Sequence, residues 1–398
     1  MTLDVVDTLA QLVAIPSVNP MGRALEGPEF LEHRLTEHLV KLFDWLGLPW
    51  QRQPVAPLRD NVIVRLDGRV PASEGGELIL WEAHQDTVPV DGMTIPPWTP
   101  EIRDGRLYGR GSCDIKGGMA AMIAALARLA EERPSDMPTI VLACTVNEEH
   151  GYTGATALTK LWAAGAERSI LPRQPDACIV AEPTDLEVVI AHKGTARWRL
   201  HTHGRAVHSS QPHKGDNAIY QMAHVVAALE KYATEFVGRL PAHPLCGQAT
   251  LSVGTIHGGL SVNTVADRST IEIDRRVLPG EEASQVYEQI KRYVAEQVGT
   301  RAKIEHDPLY MAGAPLAETH NAAIADRLSS VAERVTGRGR KIGVAYGTDA
   351  AKYALAGVPS VVFGPGSIAQ AHTADEWVPI DELRQGVDVL VQFGRGSN

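Results

Sequence analysis

The chain has 398 residues, 44% of them hydrophobic and 22% charged, with a formal net charge of −10. That length suits two domains or one domain with a large insertion, and the composition is that of a soluble globular protein. The acidic balance and the lack of a basic run exclude nucleic acid and anionic membranes as expected partners, and no run of about 18 apolar residues is present to span a bilayer. The four cysteines, Cys113, Cys144, Cys178 and Cys246, are scattered without a CxxC pair, and three lie in or beside apolar runs, so reduced thiols are expected. The first residues, Met1 to Asp7, lack the basic and apolar regions of a signal peptide, which makes a cytoplasmic location the expectation.

In chain order, apolar spacing predicts a helix over 3–13 and a second over 29–46, with Leu31, Leu35, Leu39, Leu42 and Trp45 on one face. Short strands follow at 50–54 and 61–66, then a strand over 77–83 that ends in His84-Gln85-Asp86. The Pro-rich stretch 94–108 reads as a loop with a short hairpin, and Gly109 to Gly118 leads into an Ala-rich helix over 119–130. The apolar, β-branched run 139–147 reads as a buried strand of a mostly parallel sheet and ends at Glu148-Glu149. After a helix from about Gly154, a buried strand at 177–181 ends at Glu182-Pro183-Thr184.

The pattern then changes to alternating apolar and polar residues. Strands at 196–201, 250–256, 270–277 and 302–310 and helices at 217–232 and 282–298 follow the order strand–helix–strand–strand–helix–strand. That order predicts a ferredoxin-like α+β unit, a four-stranded antiparallel sheet with two helices on one face. The buried α/β pattern resumes with a helix at 321–335, strands at 341–346 and 360–363 and a last helix at 380–393. The expected fold is therefore an α/β domain with a mostly parallel sheet, residues 1–192 and 312–398, interrupted by an inserted domain, 193–311, on two connections that can hinge.

Acids and histidines collect at predicted strand ends: His84, Asp86, Asp114, Glu148, Glu149, Glu182 and His372. In open α/β sheets ligands gather there, and an unpaired carboxylate facing an apolar layer is costly. Glu148 and Glu149 alone also fit a solvated loop pair. Because neighbouring residues point apart where a strand ends, one acid can bind a cation while the other faces a reactant. The His-x-Asp spacing suits a metal-bound imidazole held by a carboxylate. Imidazole with carboxylate suits zinc, with cobalt or manganese as substitutes, and five ligands with a carboxylate left over fit a two-metal site.

These motifs resemble those of the zinc aminoacylase, acetylornithine deacetylase, succinyl-diaminopimelate desuccinylase and glutamate carboxypeptidase family of metallohydrolases. The resemblance runs through His84-Gln85-Asp86-Thr87-Val88-Pro89, Gly109 to Gly117, Asn147-Glu148-Glu149, Ala181-Glu182-Pro183-Thr184 and Gly364-Pro365-Gly366 with Ala371 to Glu376, and so spans almost the whole chain. It implies one zinc on His84, Asp114 and Glu182 and another on Asp114, Glu149 and His372, with Asp114 bridging. It further implies that Asp86 orients His84, that Glu148 is the general base, and that Arg276, Asn263, Gly347 and Thr348 bind substrate. His208, in Gly204 to Ser210, resembles a histidine that leaves one subunit to complete its partner's site, which implies a homodimer through the inserted domain. The presence of Glu182 where carboxypeptidase-like members carry Asp favours a small N-acyl amino acid as substrate.

Four other features carry no chemistry here. His201-Thr202-His203 lies in the inserted domain, away from the metal motifs, and reads as packing or solvated. Gly109-Arg110-Gly111 and Gly364-Pro365-Gly366 complete no phosphate loop, and Ser112 and Ser209 lack a nucleophile elbow. Lys116-Gly117-Gly118 reads as shaping the turn into its helix. The expected activity is hydrolysis of the amide of an N-acyl amino acid. Its rivals are a dipeptidase or carboxypeptidase of the same family, a one-zinc hydrolase, and an inactive ligand-binding relative.

Overall fold

The computed structural model describes residues 3–163 and 170–396. Its internal contacts divide the chain into a first unit, Met1–Ile190, Glu318–Ile342 and Thr348–Asn398, and a second, Ala191–Ala317 with Gly343–Gly347.

In the first unit an eight-stranded sheet runs in the order Trp50–Ala56, Arg59–Leu66, Thr139–Thr145, Leu78–His84, Ala177–Val180, Ser360–Val362, Val188–His192, Lys341–Val344. Its centre is parallel: Leu78–His84 pairs in parallel with Thr139–Thr145 and with Ala177–Val180, which pairs in parallel with Ser360–Val362. The first hairpin and its join to Thr139–Thr145 are antiparallel. All residues of the two central strands Leu78–His84 and Thr139–Thr145 are buried, which requires cover on both faces and explains their unbroken apolar sequences. Because His84 stands opposite Thr145 and Glu82 opposite Val180, the three strands release His84, Glu148-Glu149 and Glu182 at one end of the sheet.

Two local devices set that end in place. Asp4 caps the helix Val5–Val13 by accepting the N–H groups of Val6 and Asp7 at 2.8 and 3.0 Å. The buried ammonium of Lys116 takes up carbonyls at and just past the other end, donating to Leu12 and Ile15 at 3.1 and 2.7 Å. The helix Lys116–Glu132 begins on Gly117 and Gly118, where an added Cβ would lie 2.4 Å from the Ser112 carbonyl oxygen and 2.8 Å from Cβ of Ala181. Only glycine allows that helix to start so close to the Glu182 strand. The second helix starts at His33 rather than 29, because Phe30 bridges to Val18 and Leu31 turns to a φ of 65°.

The second unit has one antiparallel sheet, ordered Thr250–Gly258, Arg268–Val277, Gly194–His203, Ile304–His306, and Met311–Gly313 also pairs with Gly194–His203. It has five strands where the sequence suggested four. Pro308 has no N–H to give to the ladder, so the expected last strand, 302–310, is cut short to Ile304–His306, and a further short strand, Met311–Gly313, lies beyond its expected end along Gly194–His203. Alternation holds in Arg268–Val277, where Ile271, Ile273 and Val277 face inward onto the helices Ala218–Glu235 and Ala283–Val298. All four cysteines are free and buried, and no helix among the described residues is long and apolar enough to cross a membrane.

Candidate metal centre

The centre is built in the first unit from two strand-to-loop exits, a one-turn helix and two long loops. His84 closes its strand, and its Nδ1 lies 2.9 Å from the carbonyl oxygen of Asp86. That bond leaves Nε2 to face Asp114 Oδ1 at 3.3 Å. The Asp86 carboxylate is 3.7 Å from the ring at its closest. It accepts instead the N–H groups of Glu148 and Glu149, both at 3.1 Å, and the amide of Asn19 at 2.8 Å. Asp86 therefore orients His84 with its main chain, while its carboxylate caps the short helix Glu148–Gly151.

Asn147 makes that turn possible. It adopts a left-handed φ of 61°, a conformation asparagine tolerates better than most residues, and its side chain accepts from Asn19 at 2.9 Å and donates to Thr153 at 2.9 Å. The reversal points the two glutamates differently. Glu149 comes within 3.4 Å of His372 Nε2, which also stands 3.2 Å from Asp114 Oδ2.

Two ligand groups result, His84 with Asp114 and Glu182, and Asp114 with Glu149 and His372, each with its ligand atoms within 4.8 Å of one another. Asp114 belongs to both, and Glu148, nearly buried beside them, belongs to neither. Divalent cations fit these residues. Asp114 Oδ1 and Glu149 Oε1 are buried without a hydrogen bond of good geometry, although imidazole nitrogens stand 3.3 and 3.4 Å away. A tetrahedral shell with bonds of about 2.1 Å puts neighbouring ligand atoms about 3.4 Å apart. The hard and borderline oxygen–nitrogen donor set is one that suits zinc, cobalt or manganese.

The electrostatics point the same way. Burial pushes Glu148 and Glu182 well above the usual carboxylate range, and neighbouring acids add to it while His84 opposes them. Burial also works against a charge on His84 and His372, yet the facing carboxylates win. His84 rises well above the imidazole range through Asp114, Asp86 and Glu148, and His372 rises to about 11 through Asp114 and Glu149. Asp114 is correspondingly held far below its ordinary value, against its burial, by the two imidazoles. Without metal, this cluster of acids keeps protons on both histidines, a demand for positive charge that cations would meet.

The remaining expected residues lie in or next to the second unit. His208 is exposed, and its Nδ1 accepts the Ser210 N–H at 3.2 Å, which puts the neutral ring's proton on Nε2. Asn263 is its neighbour, since the Ser209 N–H donates to the Asn263 carbonyl at 2.9 Å and His208 bridges to Thr264. Arg276 is half-buried against Thr195 and Asp274. Gly347 and Thr348 straddle the boundary of the two units, and Thr348 is buried with its hydroxyl accepting from the Ala350 N–H. His201 and His203 bind Thr270 and Glu305, as suits a packing or solvated role.

Several contributors carried no role in the sequence. Asn19 joins Asp86 to Asn147, Glu32 holds the Asn147 N–H at 3.2 Å, and Glu376 binds the Asp114 loop. Glu82, with Thr145 and Asp349, forms a buried polar cluster next to His84, and burial raises Asp349 to about 7. An acid within an apolar strand was a readable signal in the case of Glu82. Asn19 offered none.

A sequence model of the Peptidase family M20/M25/M40, a family of hydrolases, matches residues 80–395. The chain belongs to that family. It is 32% identical over 397 residues to an acetylornithine deacetylase of Edwardsiella ictaluri (strain 93-146) and 31% identical over 396 to one of Pectobacterium carotovorum subsp. carotovorum (strain PC1). In both cases 96% of this chain and 94% of the relative are covered. Among solved structures, the fold is that of an M20 family metallo-carboxypeptidase from Sulfolobus solfataricus, with a TM-score of 0.78 at 17% identity and 99% of each chain covered. It is also that of a Bacillus subtilis protein described as a dinuclear metal-binding peptidase of the M20 family, with a TM-score of 0.67 at 16% identity, covering 98% of this chain and 96% of that one.

Proposed function

We propose that this hydrolase is a deacylase of N-acyl amino acids, of the acetylornithine deacetylase kind, working with two divalent cations, zinc in the first place. The observation that carries the reading is the division of labour at Glu148-Glu149, in which one acid joins a ligand group and its neighbour, in the same acidic cluster, joins none. His84, Asp114 and Glu182 would hold one cation and Asp114, Glu149 and His372 the other, with Asp86 orienting. The cations, when bound, polarise the amide carbonyl and make water more acidic. Glu148 takes the proton from the attacking water and hands it to the leaving nitrogen as the C–N bond breaks, giving a carboxylate and a free amine. Burial raises this carboxyl, which makes it a better proton acceptor than an exposed glutamate.

His208 in this reading donates its Nε2–H to the oxyanion of the partner subunit's reaction, and its tautomer is right for that. Arg276 takes the substrate's carboxylate, aided by Asn263, Gly347 and Thr348. The domain limits proposed are 1–192 with 312–398 for the catalytic domain and 193–311 for the insertion. The second copy would dock on the insertion. Among the described residues its strand Thr250–Gly258 pairs on one side only, and Tyr220, Ile256, Leu260 and Val262 stand exposed at 72%, 57%, 93% and 100%. The location proposed is the cytoplasm. The test is a hydrolysis screen across N-acetyl, N-succinyl and N-formyl amino acids and dipeptides, with zinc added. Preference for N-acyl amino acids is expected, and turnover of dipeptides alone would move the enzyme to its peptidase relatives.

A further inference from the structure

Glu376 is fully buried, and every acceptor site of its carboxylate is engaged. Oε2 accepts from Arg110 Nη1 at 2.6 Å and from the Gly111 N–H at 3.1 Å, and Oε1 accepts from the N–H groups of Cys113 and Asp114 at 2.9 and 3.0 Å. Its own carbonyl accepts the Gly109 N–H at 3.0 Å. Arg110, also buried, reaches on to the Pro89 carbonyl at 3.2 Å, on the loop that follows Asp86. One buried ion pair thus ties together three loops, those carrying His84 and Asp86, Asp114, and His372, the last only four residues before Glu376 in the chain.

We propose that Glu376 is a positioning residue that fixes Asp114 relative to His372, and so sets the affinity for the cation these two share with Glu149. The inference rests on the two-cation reading above. A carboxylate has about four acceptor sites and here meets four donors, one of them the backbone N–H of Asp114 itself. Without Glu376 three buried N–H groups lose their acceptor, and the main chain at Asp114 loses its hydrogen bond to the segment that carries His372. The charge of Arg110 cancels that of Glu376, so the pair adds rigidity without adding net charge to an already acidic centre.

In Glu376→Gln the side-chain NH2 replaces one oxygen and faces two donors. The experiment titrates zinc into metal-free wild type and variant against a chromophoric chelator, and records the Co2+ absorption spectrum and the thermal midpoint of the metal-free forms. The expected result is a loss of about 10–100-fold in affinity for one of the two zincs, a much smaller change for the other, an altered Co2+ spectrum and a near-normal metal-free midpoint. Unchanged affinities in a folded variant overturn the proposal, as do equal losses at both sites with a lowered midpoint, which mark a scaffold. If the Gln variant is unfolded, Glu376→Asp, which keeps the charge but is one methylene shorter, is read in the same way, and failure of both to fold also overturns it. Wild type that binds fewer than two zincs refutes the two-cation reading instead.

Discussion

The strand end at Glu148 and the turn at His208 are opposite kinds of place. At the first, the polar groups are buried and the turn that carries them is held by its neighbours: Asp86 alone receives two backbone N–H groups and an asparagine. At the second, His208 is exposed and held by Ser210, with the apolar side chains of Leu260 and Val262 in solvent a few residues from Asn263. A preorganised electrostatic site needs fixed dipoles in a dry setting, and the first place has them. The second has an exposed imidazole without that setting, which the dimer proposed above would supply.

Substitutions at the two places separate these conditions. The largest effect is expected from Glu148→Ala, a loss of about 10²–10⁴-fold in turnover with both metals retained, read by steady-state kinetics together with metal analysis. Near-normal turnover in the metallated variant would remove Glu148 from the chemistry. His208→Ala is expected to cost about 10²–10³-fold with metal content and metal-free stability unchanged. A mixed dimer of Glu148→Ala and His208→Ala subunits sharpens this. If His208 serves the partner, one of the two sites has both groups intact and about half the activity returns, whereas service within a subunit leaves the mixed dimer inactive.

The acidic centre itself makes a further expectation. His372 is raised to about 11 and His84 above its ordinary range in the metal-free protein, so cations displace protons that the histidines would otherwise keep. Zinc uptake in weakly buffered solution should release protons, and apparent affinity should rise by up to about tenfold per pH unit for each proton released between pH 6 and 8. Proton-neutral uptake would mean that the imidazoles are already free.

How far the sequence speaks follows the same division. The candidates His84, Glu149 and Glu182 were legible because each stands at or just past the end of an apolar strand, whereas Asp114 and His372 lie in loops and were read through the motifs around them. The targets of their hydrogen bonds were not. Asp86 reads as the carboxylate that orients His84, yet its carboxylate caps the Glu148 turn, because Asn147 takes a left-handed conformation that no periodicity reveals. The shortening of the expected strand 302–310 to Ile304–His306 turned on one residue, Pro308, whose effect was legible in principle. Glu376 stands in a recognisable motif, but its role depends on which loop lies across from it.

The smallest expected effect concerns the support behind the Glu148 turn. Glu32 has no exposed surface, accepts the Asn147 N–H at 3.2 Å and lies 3.2 Å from Arg59. Burial, with the charge of Asp86 adding to it and Arg59 opposing, pushes its carboxyl up to about 8. The folded protein then holds a proton on Glu32 at pH values where the unfolded chain has lost it. A folded state that binds more protons loses stability as pH rises, so Glu32 erodes stability between its ordinary carboxylate range and about 8, with a slope of at most about 1.4 kcal/mol per pH unit. Glu32→Gln keeps an oxygen for the Asn147 N–H and removes the ionisable group. Denaturant unfolding of the metal-free proteins from pH 5 to 8 should show the variant gaining on wild type as pH rises, since other titrating groups are common to both. Parallel curves would mean that Glu32 is ionised throughout and that Arg59 outweighs its burial.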